Sequence, residues 1–333
     1  MSERPLRLGW WLSSEEHDPR DLVGHAVTAE QAGFPTAMIS DHLQPWVRKQ
    51  GHAGHVWTTV GAIANAADSL EVGIGVVSMV HRWHPIVVAH AAATAAVLLD
   101  GRFFLGVGTG ERLNEQAFGE RWPRSGERRD RLADSIDVIR SLWSGENVNH
   151  DGPAGRVENL SMWELPAAPP PMYVAAAGRR SAALAGQAGD GIIAVAPDAT
   201  LVDAYHGAGG DGRCIAQLHV SLAATEEEAL DTAWEWWPNG AIAPAVLSEL
   251  ARPQDFEAVA GGTRREAIHE TVVCTTDADA IVKAIDRYVG AGFDTVYLHQ
   301  IGPDQQCLAD LARTDLLPHY QTRGWGTGTP TSC

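Results

Sequence analysis

One pattern constrains this chain more than any other. Short runs rich in β-branched and aromatic residues alternate from end to end with Ala-rich stretches of helical spacing. Parallel strands need a crossover between them, usually a helix, so the alternation predicts βα units around a parallel sheet. Eight strands are expected, over residues 7–12, 36–40, 71–77, 103–107, 172–176, 191–195, 216–221 and 295–299. Between the first two, Asp21 is placed to cap a helix whose apolar positions Leu22, Ala26, Ala29 and Ala32 keep helical spacing until Gly33 ends it. Residues 279–289 repeat the pattern before the last strand and end at Gly290 and Gly292. Eight such strands favour a closed (β/α)8 TIM barrel, one domain over residues 1–333, rather than an open doubly wound sheet.

Two stretches exceed a simple crossover. Residues 114–171 carry a helix over 128–143 and a Pro-rich connection, and residues 225–271 open on a cluster of Trp234, Trp236 and Trp237. Both are expected as insertion segments at the C-terminal mouth of the barrel, where long loops shape a site. Residues 324–333, rich in Gly, Thr and Pro, read as a flexible tail.

Composition narrows the partners. Lys plus Arg number 25 against 42 Asp plus Glu, a net charge of −17, which disfavours nucleic acid or an anionic membrane. The longest apolar run, about residues 91–99, is far short of a membrane span, and the four cysteines are scattered, so a reduced, cytoplasmic protein is expected. No His-x-His at a strand end and no metal-binding helix motif appears, so no metal site is expected.

Function in such a barrel sits where strands run into βα loops. Strand one runs out into Ser13, Ser14, Glu15, Glu16 and His17; strand two into Asp41, His42, Gln44 and Trp46; strand three ends near Ser78; strand four opens into Gly108, Thr109, Gly110 and Glu111, with Asn114 beyond. A histidine, an indole and carboxylates gathered at one mouth suit proton transfer coupled to a redox or hydrolytic step.

The stretches SDHLQPW (40–46), GVGTGERLN (106–114), GDG (189–191) and YLHQIGPDQ (297–305) resemble the luciferase-like superfamily, in particular its branch that uses the deazaflavin coenzyme F420 and includes F420-dependent glucose-6-phosphate dehydrogenase. That resemblance implies a barrel with the deazaflavin across its mouth and hydride moving to or from C5 of the ring. On the matching positions His42 is the acid–base group, Trp46 walls the reacting centre, Glu111 serves the ring proton and Glu15 is a further active-site carboxylate. Asp41, Ser78, Gly108, Thr109, Gly110 and Asn114 match cofactor contacts. A non-prolyl cis peptide is implied at Gly75-Val76, and Ala176, Ala177, Gly178 and Arg179 stand where a helix start holds the cofactor phosphate.

The family's sugar-phosphate site needs two lysines and an arginine, whereas the matching positions here are Asp198, Leu247 and Thr271, and Lys49 and Lys283 are the only lysines. An unphosphorylated alcohol, ketone or unsaturated substrate follows, with Asp198, Trp234 and Trp237 around it. FMN is the alternative cofactor, as in a luciferase-like monooxygenase, and a non-catalytic flavin- or deazaflavin-binding protein is a third reading. The resemblance also implies a homodimer.

Overall fold

The computed structural model describes residues 4–322, so the 324–333 tail lies outside the described residues. Eleven strands form: β1 (Arg7–Leu12), β2 (Thr36–Ile39), β3 (Glu71–Ser78), β4 (Phe103–Gly108), β5 (Val148–Gly152), β6 (Gly155–Leu160), β7 (Met172–Ala175), β8 (Gly191–Ala194), β9 (Arg213–Leu222), β10 (Val272–Thr275) and β11 (Thr295–Gln300). Eight of them run in the order β9-β11-β1-β2-β3-β4-β7-β8, and pairing of β8 with β9 closes the ring. Every neighbouring pair in it is parallel. This is the expected (β/α)8 barrel, with all eight expected strands in place.

Three strands were not expected. β5 and β6 make an antiparallel hairpin inside the 114–171 segment. β10 pairs with residues 219–222 of β9, while β8 pairs with residues 213–216. β11 occupies the other edge of β9. β8 and β10 therefore share one edge of a long strand, and β10 carries the 225–271 segment to the mouth.

Local chemistry accounts for the helices. Pro19 at the first turn and Asp18 before it start the helix Pro19–Ala32; the Asp18 carboxylate accepts from the N–H groups of Arg20 and Asp21 at 2.7 and 3.0 Å. Asp18, not Asp21, is thus the cap, because the fixed φ of Pro19 already belongs to the helix. Gly33 ends it at φ 99°. Asp277 caps Ala278–Gly290 in the same way, and the helix expected over 128–143 spans Ser125–Trp143.

The barrel interior below the mouth is filled by Trp11, Met38, Phe104, Tyr173, Ile193, Ile215 and Tyr297. A second apolar cluster joins the mouth to the 225–271 segment through Trp46, Leu113, Trp237, Phe256 and Ile268. No helix among the described residues is long and apolar enough to cross a membrane.

Candidate active site

The loop after β2 is held in place by polar groups from three other strand ends. Asn114 accepts from the N–H groups of Leu43 and Gln44 at 2.9 and 3.3 Å, and its amide nitrogen lies 3.3 Å from His42 Nδ1. The Gln44 carbonyl lies 3.0 Å from the same Nδ1. One neighbour of Nδ1 is a donor and the other an acceptor, so the neutral ring is satisfied with its proton on either nitrogen. His42 Nε2 faces Glu15 Oε1 at 3.3 Å and Glu111 Oε2 at 3.9 Å. The Trp46 indole N–H donates to Glu15 Oε1 at 3.1 Å, with its ring 4.8 Å from that of His42. His42, Trp46, Glu15 and Glu111 are therefore brought together.

The two carboxylates are driven in opposite directions. Burial alone would raise Glu15, but His42 beside it and hydrogen bonds led by Ser40 override that, and its carboxyl sits below the ordinary range. Ser13 and Ser14 also reach it, at 3.2 and 3.4 Å. Burial pushes the Glu111 carboxyl up, with His42 opposing and Glu15 and Glu115 reinforcing the rise. Since 36% of its side chain still meets solvent, the rise is smaller than a closed site would impose. A pair of carboxyls split this way separates a permanent anion from a proton carrier.

Asp41 is buried with no side-chain exposure, 2.9 Å from Arg82, and accepts from the Trp83 indole at 2.7 Å. Burial raises its carboxyl, and Arg82 and the indole oppose that rise. Arg82 also donates to the carbonyls of Asp41 and His42 at 3.2 and 3.3 Å. Ser78 donates to Glu115, whose other oxygen accepts from the N–H groups of His81 and Arg82 at 2.7 and 3.0 Å. Gly110 packs over that pair at φ 67°, where a Cβ would stand 2.2 Å from Ser78 Oγ. The Gly75–Val76 peptide is cis. Gly108 and Thr109 continue from β4 into this loop, and beyond β7 the exposed Ala177 and Gly178 lead into the helix Arg179–Ala188, whose N-terminus has no side-chain cap. Ala176 is buried beneath them.

Several of the expected positions also hold local structure. Asn114 is tied to the His42 loop. Asp198 caps the helix Ala199–Gly207 by accepting from Thr200 N–H at 2.9 Å, Thr271 donates to the Gly240 carbonyl at 2.8 Å, and Leu247 packs against the apolar cluster. Trp237 reaches the mouth, 6.5 Å from Trp46, whereas Trp234 is half-buried outside that cluster. Arg82, Glu115, His219 and His299 were not expected here; the HRWH stretch after strand three was the available signal for Arg82.

Residues 5–295 match the family described as luciferase-like monooxygenase. The chain belongs to that family. Among its relatives, the F420-dependent hydroxymycolic acid dehydrogenase of Mycobacterium tuberculosis is 37% identical over 324 residues, covering 94% of this chain and 88% of the relative. The F420-dependent glucose-6-phosphate dehydrogenase of Segniliparus rotundus is 34% identical over 333 residues, covering 96% and 99%. An F420-dependent secondary alcohol dehydrogenase, solved with an F420–acetone adduct, shares this luciferase-like fold with a TM-score of 0.87 at 24% identity, covering 93% of this chain and 97% of its own.

Proposed function

We propose that this chain is a coenzyme F420-dependent oxidoreductase that moves hydride between the deazaflavin and an unphosphorylated alcohol, ketone or unsaturated compound. The observation that carries the reading is His42 Nε2 set between two carboxylates of opposite proton affinity. The residues present fit the cofactor. Asp41 Oδ1 is buried with no hydrogen bond of its own, although Arg82 is near it, and can accept one from the ring system. The uncapped helix start at Gly178 offers free N–H groups to a phosphate. When bound, the deazaflavin supplies hydride transfer at its C5.

The chain's own residues manage the protons. His42 Nε2 takes the hydroxyl proton of an alcohol or returns it to a carbonyl oxygen, and Glu15, kept ionised, steadies the imidazolium so formed. Glu111 can hold a proton at pH values where Glu15 cannot, which suits it to the ring nitrogen. Trp46 and Trp237 give the mouth apolar walls. With no lysine at the positions of the family's phosphate site, and Asp198 standing at one of them, the substrate is unphosphorylated.

A homodimer is part of the same reading. The helix Pro85–Leu98 leaves Val87, Val97 and Leu98 exposed at 48%, 41% and 55%, an apolar face on the barrel's side that suits a second copy.

The deciding experiment is titration of the purified apoprotein with F420 and with FMN, read by absorbance and fluorescence, followed by turnover with neutral alcohols and ketones. Tight F420 binding with turnover supports the reading; preference for FMN points to the monooxygenase chemistry of other family members; binding without turnover points to a carrier.

A further inference from the structure

Below the mouth lies a second set of titratable groups that the chemistry above does not use. Strand register sets His299 of β11 directly beside His219 of β9. Their Nδ1 atoms are 2.8 Å apart, and His299 Nε2 is 2.6 Å from Glu16 Oε2. Glu16 Oε1 accepts from Gly302 N–H at 2.9 Å, so its carboxylate is fully committed, and neither Glu16 nor His299 is exposed. Trp237 covers both imidazoles, its ring 4.6 Å from His299 and 5.2 Å from His219. His219 is half-buried, and its Nε2 has no partner among the described residues.

Proton counting fixes the neutral arrangement. A carboxylate only accepts, so His299 carries its proton on Nε2 and presents a bare Nδ1. Two bare nitrogens cannot bond, so His219 carries its proton on Nδ1 and keeps a bare Nε2 on a ring that is only half-buried. We propose that Glu16, His299 and His219 form a proton relay that makes His219 Nε2 a second acid–base group on the floor of the mouth, acting on a substrate hydroxyl or carbonyl oxygen. In the forward step the substrate O–H bond breaks and an N–H bond forms at His219 Nε2. The His219 Nδ1–H then passes to His299 Nδ1. His219 ends neutral, and the positive charge rests on His299 against the Glu16 carboxylate.

The surroundings favour that final placement. Burial, followed by the neighbouring His299, holds His219 well below the ordinary histidine range, so a charge is poorly kept there and better kept beside Glu16. The other titratable groups facing the relay are Glu15 and His17, each of which feels the charge on His299. The inference rests on the mouth being a substrate site, not on the identity of the cofactor.

The first test needs neither substrate nor cofactor. Long-range 15N–1H spectra of 15N-histidine-labelled protein, with His219→Gln and His299→Gln spectra for assignment, report each ring's protonation. At pH 8 the expected forms are Nε2–H for His299 and Nδ1–H for His219. As the pH falls, His299 becomes doubly protonated while His219 moves its single proton to Nε2. Glu16→Gln lowers the pH of that change by one unit or more. The Nε2–H form of His219 at pH 8, or a change that ignores Glu16→Gln, overturns the relay. The second test is steady-state turnover of F420 with neutral secondary alcohols. His219→Gln is expected to lower kcat at least tenfold with KM changed less, and Glu16→Gln to move the acid limb of the pH profile to lower pH. Unchanged kcat and pH profile in both variants overturn the acid–base role. Failure of the wild type to use F420 or any alcohol counts against the function proposed above and leaves the spectra to judge the relay.

Discussion

Replacing Asp41 by asparagine leaves Arg82, only 6% exposed, as a buried cation whose remaining contacts are two backbone carbonyls and the ring of Trp83. At an effective dielectric of about 20, unit charges 2.9 Å apart attract by about 6 kcal/mol, and part of that is offset by the cost of burying both. Breaking a buried pair from one side typically costs about 3–5 kcal/mol. For a chain of this length, at about 2 °C per kcal/mol, the melting temperature should fall by about 6–10 °C. Arg82→Met exposes the other half of the argument, because the Asp41 carboxyl it strands can take up a proton. Burial already raises that carboxyl, and without Arg82 it rises further. The folded state then binds a proton that the unfolded state releases, so stability falls as pH rises from the ordinary aspartate value toward the raised one. Arg82→Met should therefore be markedly less stable at pH 8 than at pH 5 relative to the parent, while the loss in Asp41→Asn should carry no such slope. The assay is urea unfolding at both pH values, with F420 affinity and turnover on the same samples. Because Arg82 also holds the His42 carbonyl, kcat should drop about tenfold in both variants. A cost below about 1 kcal/mol for Asp41→Asn, or a pH-independent cost for Arg82→Met, would refute the reasoning.

Other expectations follow from single features of the mouth. Glu111→Gln should remove one limb of the pH profile of kcat/KM, whereas Glu15→Gln should keep that limb and lower the rate by about 10²-fold through loss of the His42 partner. Gly178→Asp should fold normally, since a Cβ there meets nothing within 4 Å, yet weaken F420 at least tenfold in a fluorescence titration by placing a carboxylate where the phosphate would bind. Leu98→Glu should shift light scattering from dimer to monomer without changing the circular dichroism spectrum. Glucose 6-phosphate should be oxidised far more slowly than neutral secondary alcohols in paired assays with F420; comparable rates would show that arginines have replaced the missing lysines.

Much of this architecture was legible because it is written in short-range pattern. Each barrel strand is a local apolar run, and the rule that strand ends carry chemistry was enough to gather His42, Trp46, Glu15 and Glu111 from three separate loops. What escaped depends on register or on a single long reach. His219 and His299 are ordinary members of alternating strands until parallel pairing sets them side by side. Arg82 had only the HRWH stretch as a signal, and that stretch does not say that its guanidinium turns back to Asp41. β10, with four residues and a neighbour shared with β8, carries too little pattern to be read. The cap at Asp18 was legible in principle, since Pro19 marks the first turn, and the choice of Asp21 overlooked that signal.

The mouth gathers far more negative than positive charge, a field whose carboxylates differ in how many fixed donors each has. Glu15 has three serine hydroxyls, an indole and His42; Glu16 has His299 and a backbone N–H; Glu115 has Ser78 and two backbone N–H groups; Asp41 has Arg82 and the Trp83 indole. Among the described residues Glu111 meets only His42, at 3.9 Å, and solvent. Its partners hold the Glu15 carboxyl down while burial pushes that of Glu111 up, so of these two Glu111 is the one placed to gain and lose a proton during a turnover. The same field acts on whatever enters. A dianionic substrate would be repelled by carboxylates that have no proton to donate to it, while a neutral alcohol becoming a carbonyl, with its proton left on an imidazole, places positive charge where that field is already prepared to receive it.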